Sequence, residues 1–288
     1  MGELLKGWLY LGTALLIGAA LFPCTIGASL REPVHRERLR LAAWLGGGMV
    51  AAAGLARATL ALQAALGAAP FATVVAFLTG TLFGWMALAR VALAAALVAA
   101  AAWTRRAPPA EQPLALVLTA ALALAMLVSI SLVSHAEAGG SALLVVMDVI
   151  HLAATMFWVA SVGLLAWVPT WDGEDLHAAG AAARALSTAA LWCAGVALAT
   201  GIVASAAHLF GIAAFVTTPY GRVLLLKHAL FVVVIVLAAF HRLRGLPLFF
   251  DAAVPERFRG ALRLESLVLA EVLVVTGVLT SLPPAVHG

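Results

Sequence analysis

Charge is what this sequence lacks most. Of its 288 residues 10% are charged and 64% are hydrophobic, against about 25% and about 45–50% in soluble domains. The shortage excludes a soluble globular enzyme, a disordered chain and a nucleic-acid-binding domain, each of which needs an extensive charged surface. Cysteine is as scarce: Cys24 and Cys193 stand singly inside apolar runs, so there is no CxxC pair and no disulfide framework. The period-2 alternation of barrel strands is missing. So are a P-loop, a GxSxG elbow and an HExxH helix, and the chain is expected not to be an enzyme. What remains is a load of Ala, Leu, Val and Gly with a mean hydropathy of +1.08, the composition of helices packed closely in lipid. This is an integral membrane protein.

A helix needs roughly 20 apolar residues to cross about 30 Å of hydrocarbon. Eight runs qualify: 7–28, 40–63, 84–104, 113–134, 142–168, 184–209, 220–243 and 263–282. Residues 1–28 look like a signal peptide but lack a clear A-x-A site, and are read as the first span. The segment 71–83, after Pro70, is expected to be an outer connection or short interfacial helix. The fold class is therefore an all-α polytopic transmembrane bundle.

The loops orient it. Arg31, Arg36 and Arg38 lie between the first two runs, Arg105 and Arg106 after the third, and Arg242, Arg244, Arg257, Arg259 and Arg263 around the last connection. The intervening loops near 64–83, 135–141 and 210–219 hold no Lys or Arg. The positive-inside rule then puts both termini outside. An internal repeat is also visible. Thr81-Leu-Phe-Gly84-x5-Arg90 recurs as Thr218-Pro-Tyr-Gly221-x5-Lys227, and Tyr10 takes the place of His151. Two parallel four-helix halves follow, 1–134 and 135–288.

Ionisable groups inside a bilayer are expensive and functional by default. In this topology they crowd the outer half. His135 and Glu137 lie in an outer loop, Asp148 and His151 are three apart on one helical face, and Met147 shares that side. His208 ends the sixth span, Lys227 and His228 lie about 10–12 Å into the seventh, and Arg57 and Arg90 match that depth in the first half. Arg57, Arg90 and Lys227 have structural readings, as snorkelling groups or partners of Asp148 or Glu271. Met126 and Met156 read as packing, Cys24 and Cys193 as apolar filler. A single intramembrane histidine is as often a hydrogen-bonded packing residue as a ligand; the clustering of His135, Met147, Asp148, His151, His208 and His228 on one side is what favours a metal site. Imidazole suits copper in either oxidation state and thioether suits Cu(I).

Ser134-His135-Ala136 and Asp148-x2-His151-Leu-Ala-Ala-x3-Trp158 resemble the signature of the CopD family of bacterial copper resistance membrane proteins. So do Thr218-Pro-Tyr-Gly221-Arg-x4-Lys227, His241-Arg242, Pro247, Glu265 and Leu282-Pro283-Pro284. The likeness is good over about 130–284 and looser before it. Val159-Ala160-Ser161 replaces the family's usual Gly-Gly, and His241 its usual Asn. The resemblance implies a multi-pass protein of the bacterial inner membrane that takes copper from the periplasmic side, works with a periplasmic copper-binding partner and carries the metal inward. It implies His135, Asp148 and His151 as site residues. Two other readings use the same residues. One is a haem-b electron-transfer protein with His151 and His228 as axial ligands; the other is a copper chaperone or assembly subunit without transport. The inner half offers Cys193, Glu265 and Met49 but no obvious ladder of ligands.

Overall fold

The computed structural model describes residues 2–26, 29–30, 32–67, 70–133, 141–171, 175–209, 211–248 and 254–283. Its long helices are α1 (Gly2–Leu21), α2 (Pro33–Leu66), α4 (Leu82–Thr104), α5 (Gln112–Ser131), α6 (Ala142–Trp167), α7 (Asp175–His208), α9 (Pro219–Phe240) and α10 (Val254–Leu279). Two short helices, α3 (Phe71–Gly80) and α8 (Ala214–Thr217), precede α4 and α9. The described residues contain no strand. Seven helices are long and apolar enough to cross a membrane. The eighth expected span corresponds to α10, which has the length but carries Arg263, Glu265 and Glu271.

Two helices outrun their apolar stretches. The apolar pattern starts near 40 and 184, whereas α2 and α7 begin at Pro33 and Asp175. Hydropathy marks where lipid begins, while a helix continues as long as its backbone bonds are satisfied. The basic loop residues also do structural work. Arg38 donates from Nη1 to the Val168 carbonyl at 2.7 Å, covering a free carbonyl at the end of α6. Arg242 donates from Nη1 to Ser187 O and Oγ at 3.1 and 2.9 Å.

The N-terminal helix is the hub. α1 packs against α2, α4 and α5 on one side and α6 and α10 on the other, and Leu9, Tyr10, Leu16 and Phe22 are almost wholly buried. Small residues make this possible. A Cβ on Gly46 would sit 2.6 Å from the Leu16 nitrogen, and one on Gly277 would collide with Gly7. Backbones at that separation gain the dispersion contacts that hold helices together where lipid removes the hydrophobic drive. Gly46 thus serves a contact within the chain, between α1 and α2.

The sequence repeat reappears as a repeated corner. Thr81 caps α4: its Oγ1 accepts from Gly84 N at 3.0 Å and donates to Phe77 O at 2.8 Å. Thr218 caps α9 in the same way, accepting from Gly221 N at 3.0 Å and donating to Ala214 O at 2.7 Å. Each threonine stitches a short helix to a long one, with the following glycine pressed on the short helix.

Candidate functional site

In the second half α7 and α9 barely touch, while α6 packs on α7 and α10 on both α6 and α9. The space left between them is a cavity of about 210 Å³. It is bounded at one end by His208, Tyr220 and Thr280 and at the other by Trp158, Phe231, Val234 and Leu269. Met147, Asp148, His151, His208 and His228 all line it, so the structure brings together five of the six expected site residues. The sixth, His135, lies outside the described residues.

His151 is the best-defined donor. Thr200 Oγ1 lies 2.7 Å from Val196 O and 2.8 Å from His151 Nδ1. With the hydroxyl hydrogen on Val196 O, Nδ1–H donates to Oγ1 and Nε2 keeps its lone pair, the tautomer a metal-binding imidazole needs. Thr200 lies on α7 opposite His151 on α6, and nothing in the sequence pattern singled it out. His228 packs on Phe215 with ring centroids 6.0 Å apart, and His208 meets Tyr220 edge-on at 6.3 Å.

Lys227 shares the cavity wall and feels the charge of Asp148. Tyr10 also reaches the cavity, with its hydroxyl 3.3 Å from Thr280 Oγ1. It thus lines the same cavity as His151. Glu271 does not line the cavity and is exposed on the outside of the bundle. A pairing of Lys227 with Glu271 is therefore excluded.

The far end is closed by aromatic packing. Trp158 is 2% exposed and meets Phe231 at right angles, 6.2 Å between centroids. Its indole N–H has no acceptor among the described residues. Beyond this floor, His241 Nδ1 lies 2.6 Å from Glu265 Oε2, both side chains buried, with Phe258 stacked 5.3 Å from the imidazole. The departure at 241 is thus a histidine with a dedicated carboxylate. Cys193 and Cys24 are half-buried and unpaired, and Met126 and Met156 are core residues, as packing roles require.

Among the described residues no three His, Cys, Asp or Glu side chains converge closely enough to cage a metal ion. The donors come from three helices around the cavity, α6, α7 and α9. That arrangement suits an ion held by few ligands at a time more than a permanent structural metal, which takes a closed set of about four. It does not support haem: about 210 Å³ is below the roughly 300–1,000 Å³ of pockets that accept even drug-sized ligands.

Comparison with known families gives two matches along the chain. Residues 4–143 match "Copper resistance protein D-like, N-terminal domain", and residues 180–279 match "Copper resistance protein D". The chain belongs to the copper resistance protein D family. It is a multi-pass membrane protein connected with copper resistance, embedded in a lipid bilayer. The first half, where the sequence likeness was loose, has its own family match. No curated protein and no solved structure matches the chain.

Proposed function

We propose that this CopD-family protein lies in the bacterial inner membrane, receives copper from a periplasmic copper-binding protein and passes it inward through the second half of the bundle. The observation that carries the reading is His151, whose Nε2 lone pair is set by the Thr200 contact on the wall of a cavity shared with Met147, Asp148, His208 and His228. Imidazole and thioether donors on the cavity lining match the preferences of copper, Cu(I) above all. His135, in the loop before α6, completes the proposed receiving set. The unequal distribution of Lys and Arg between alternate loops supports an outside location for both termini, which puts His208 and Tyr220 at the periplasmic end.

A second reading keeps the copper site and drops transport. It is favoured by the closed floor at Trp158, Phe231 and Val234, and by the lack of a converging ligand set among the described residues. In that case the protein hands copper back to a periplasmic or membrane partner as a chaperone.

Copper analysis of detergent-purified protein, followed by uptake into sealed liposomes, tests both. About one copper per chain that is lost in His151→Ala, with uptake above that of empty vesicles, is the expected result. Copper bound at wild-type stoichiometry in His151→Ala removes His151 from the site. A loaded protein that never moves copper across the bilayer selects the chaperone.

A further inference from the structure

A second polar site lies in the first half, where the copper reading has no use for it. An open groove of about 610 Å³ runs between α1, α2 and the start of α4, lined by Glu3, Lys6, Arg57, Phe83, Thr280 and Ser281 among others. Lys6 is 5% exposed and spends one N–H on the Thr280 carbonyl at 2.7 Å, leaving two donors. Arg57 is half-buried, with its guanidinium carbon 5.7 Å from the Phe83 ring centroid. That ring holds one face of the guanidinium, and its five N–H donors have no hydrogen-bond acceptor among the described residues.

The charge balance is lopsided. Lys6, Arg57 and Arg90 lie close enough to repel one another. Arg90 is satisfied internally, donating to Ser129 O and Oγ at 2.5 and 3.3 Å. No carboxylate is felt by Arg57, and Asp148 is the one acidic group felt by Lys6. Glu3, on the groove's rim, makes no ion pair among the described residues. Cations held together in a low-dielectric place cost free energy that a bound anion recovers. A planar fork beside an ammonium group is a typical donor set for a tetrahedral oxyanion.

The surroundings say where such an anion comes from. α3 contacts α2 and α4, and none of its ten residues is buried, Phe71 being 82% exposed. An apolar helix that packs on the bundle along one side and buries none of its residues belongs in acyl chains just below the headgroups. We propose that the Lys6–Arg57 groove binds a phosphate-type oxyanion, supplied by the headgroup of an anionic phospholipid whose chains lie along α3. The groove shares Thr280 with the copper cavity, but neither Lys6 nor Arg57 lines that cavity.

The test uses the delipidated full chain and its Arg57→Gln and Arg57→Lys variants. Each is titrated separately with phosphatidylglycerol, phosphatidylcholine and inorganic phosphate, and followed by native mass spectrometry and by unfolding temperature. Phosphatidylglycerol is expected to bind the wild type more tightly than phosphatidylcholine, to weaken about tenfold in Arg57→Gln and to be largely kept in Arg57→Lys. Inorganic phosphate that binds equally well and is lost in Arg57→Gln assigns the site to free phosphate and keeps the anion site. Phosphatidylglycerol and phosphate affinities that are both unchanged in a folded Arg57→Gln variant overturn the proposal. So does a wild type whose unfolding temperature responds to neither anion, whatever the variants do.

Discussion

His151 has the largest functional weight because three groups decide its chemistry. With the Thr200 hydrogen on the Val196 carbonyl, Oγ1 accepts a hydrogen bond from His151 Nδ1–H and Nε2 is left as a base. Thr200→Val keeps the volume and removes the acceptor, so copper affinity should fall about 10–100-fold, the usual loss for a partner that orients a ligand. Thr200→Ser should restore it. Equal copper affinities in the Val and Ser variants would show that the contact does not set the tautomer. The His241–Glu265 pair makes a different prediction. Both groups are buried, so His241→Ala strands a carboxylate and should destabilise the fold by about 3–5 kcal/mol. His241→Ala together with Glu265→Leu should recover much of that in thermal unfolding.

At the scale of elements, two features hold the helices in place. The first is the threonine corner. Thr81→Val and Thr218→Val each remove a capping acceptor and a hydroxyl bond, and each should cost about 1 kcal/mol. Their effects should add, because the corners are separate in the structure. The second is the close approach of α1 to α2. Gly46→Leu puts a branched side chain where even a Cβ would lie 2.6 Å from the Leu16 backbone. It should cost about 1–3 kcal/mol or more and lower the yield of folded protein. A Gly48→Leu control faces open space and should be close to neutral. Comparing the two in one unfolding assay separates close packing from a general effect of bulk.

For the whole molecule, the bundle is organised around its first helix, which touches helices before and after residue 135 alike. The two halves of the sequence are thus joined by a common core, and neither residues 1–134 nor residues 135–288 should fold when expressed alone. The loop charge pattern predicts the proposed orientation. A single cysteine at Ser281, in a chain whose Cys24 and Cys193 are replaced by alanine, should react with an impermeant maleimide added to intact spheroplasts. One placed at Arg106 should react only after lysis. The opposite pattern would invert the bundle and place the copper cavity on the cytoplasmic side.

Much of this protein is legible without coordinates. The membrane class, the helical runs, the short helix within 71–83 and the repeated Thr-x-x-Gly corner depend on composition and local spacing, and local spacing is what a helix expresses directly. The grouping of Met147, Asp148 and His151 was visible for the same reason, since these residues lie within a turn of one another. Thr200, the turn of Glu271 away from the cavity, the closure by Trp158 and Phe231, and the use of α1 as a hub depend on which helix lies beside which and how each is rotated about its axis. A uniformly apolar helix carries little record of that rotation, because lipid and protein interior reward the same side chains. Only the packing of small residues in three dimensions decides it.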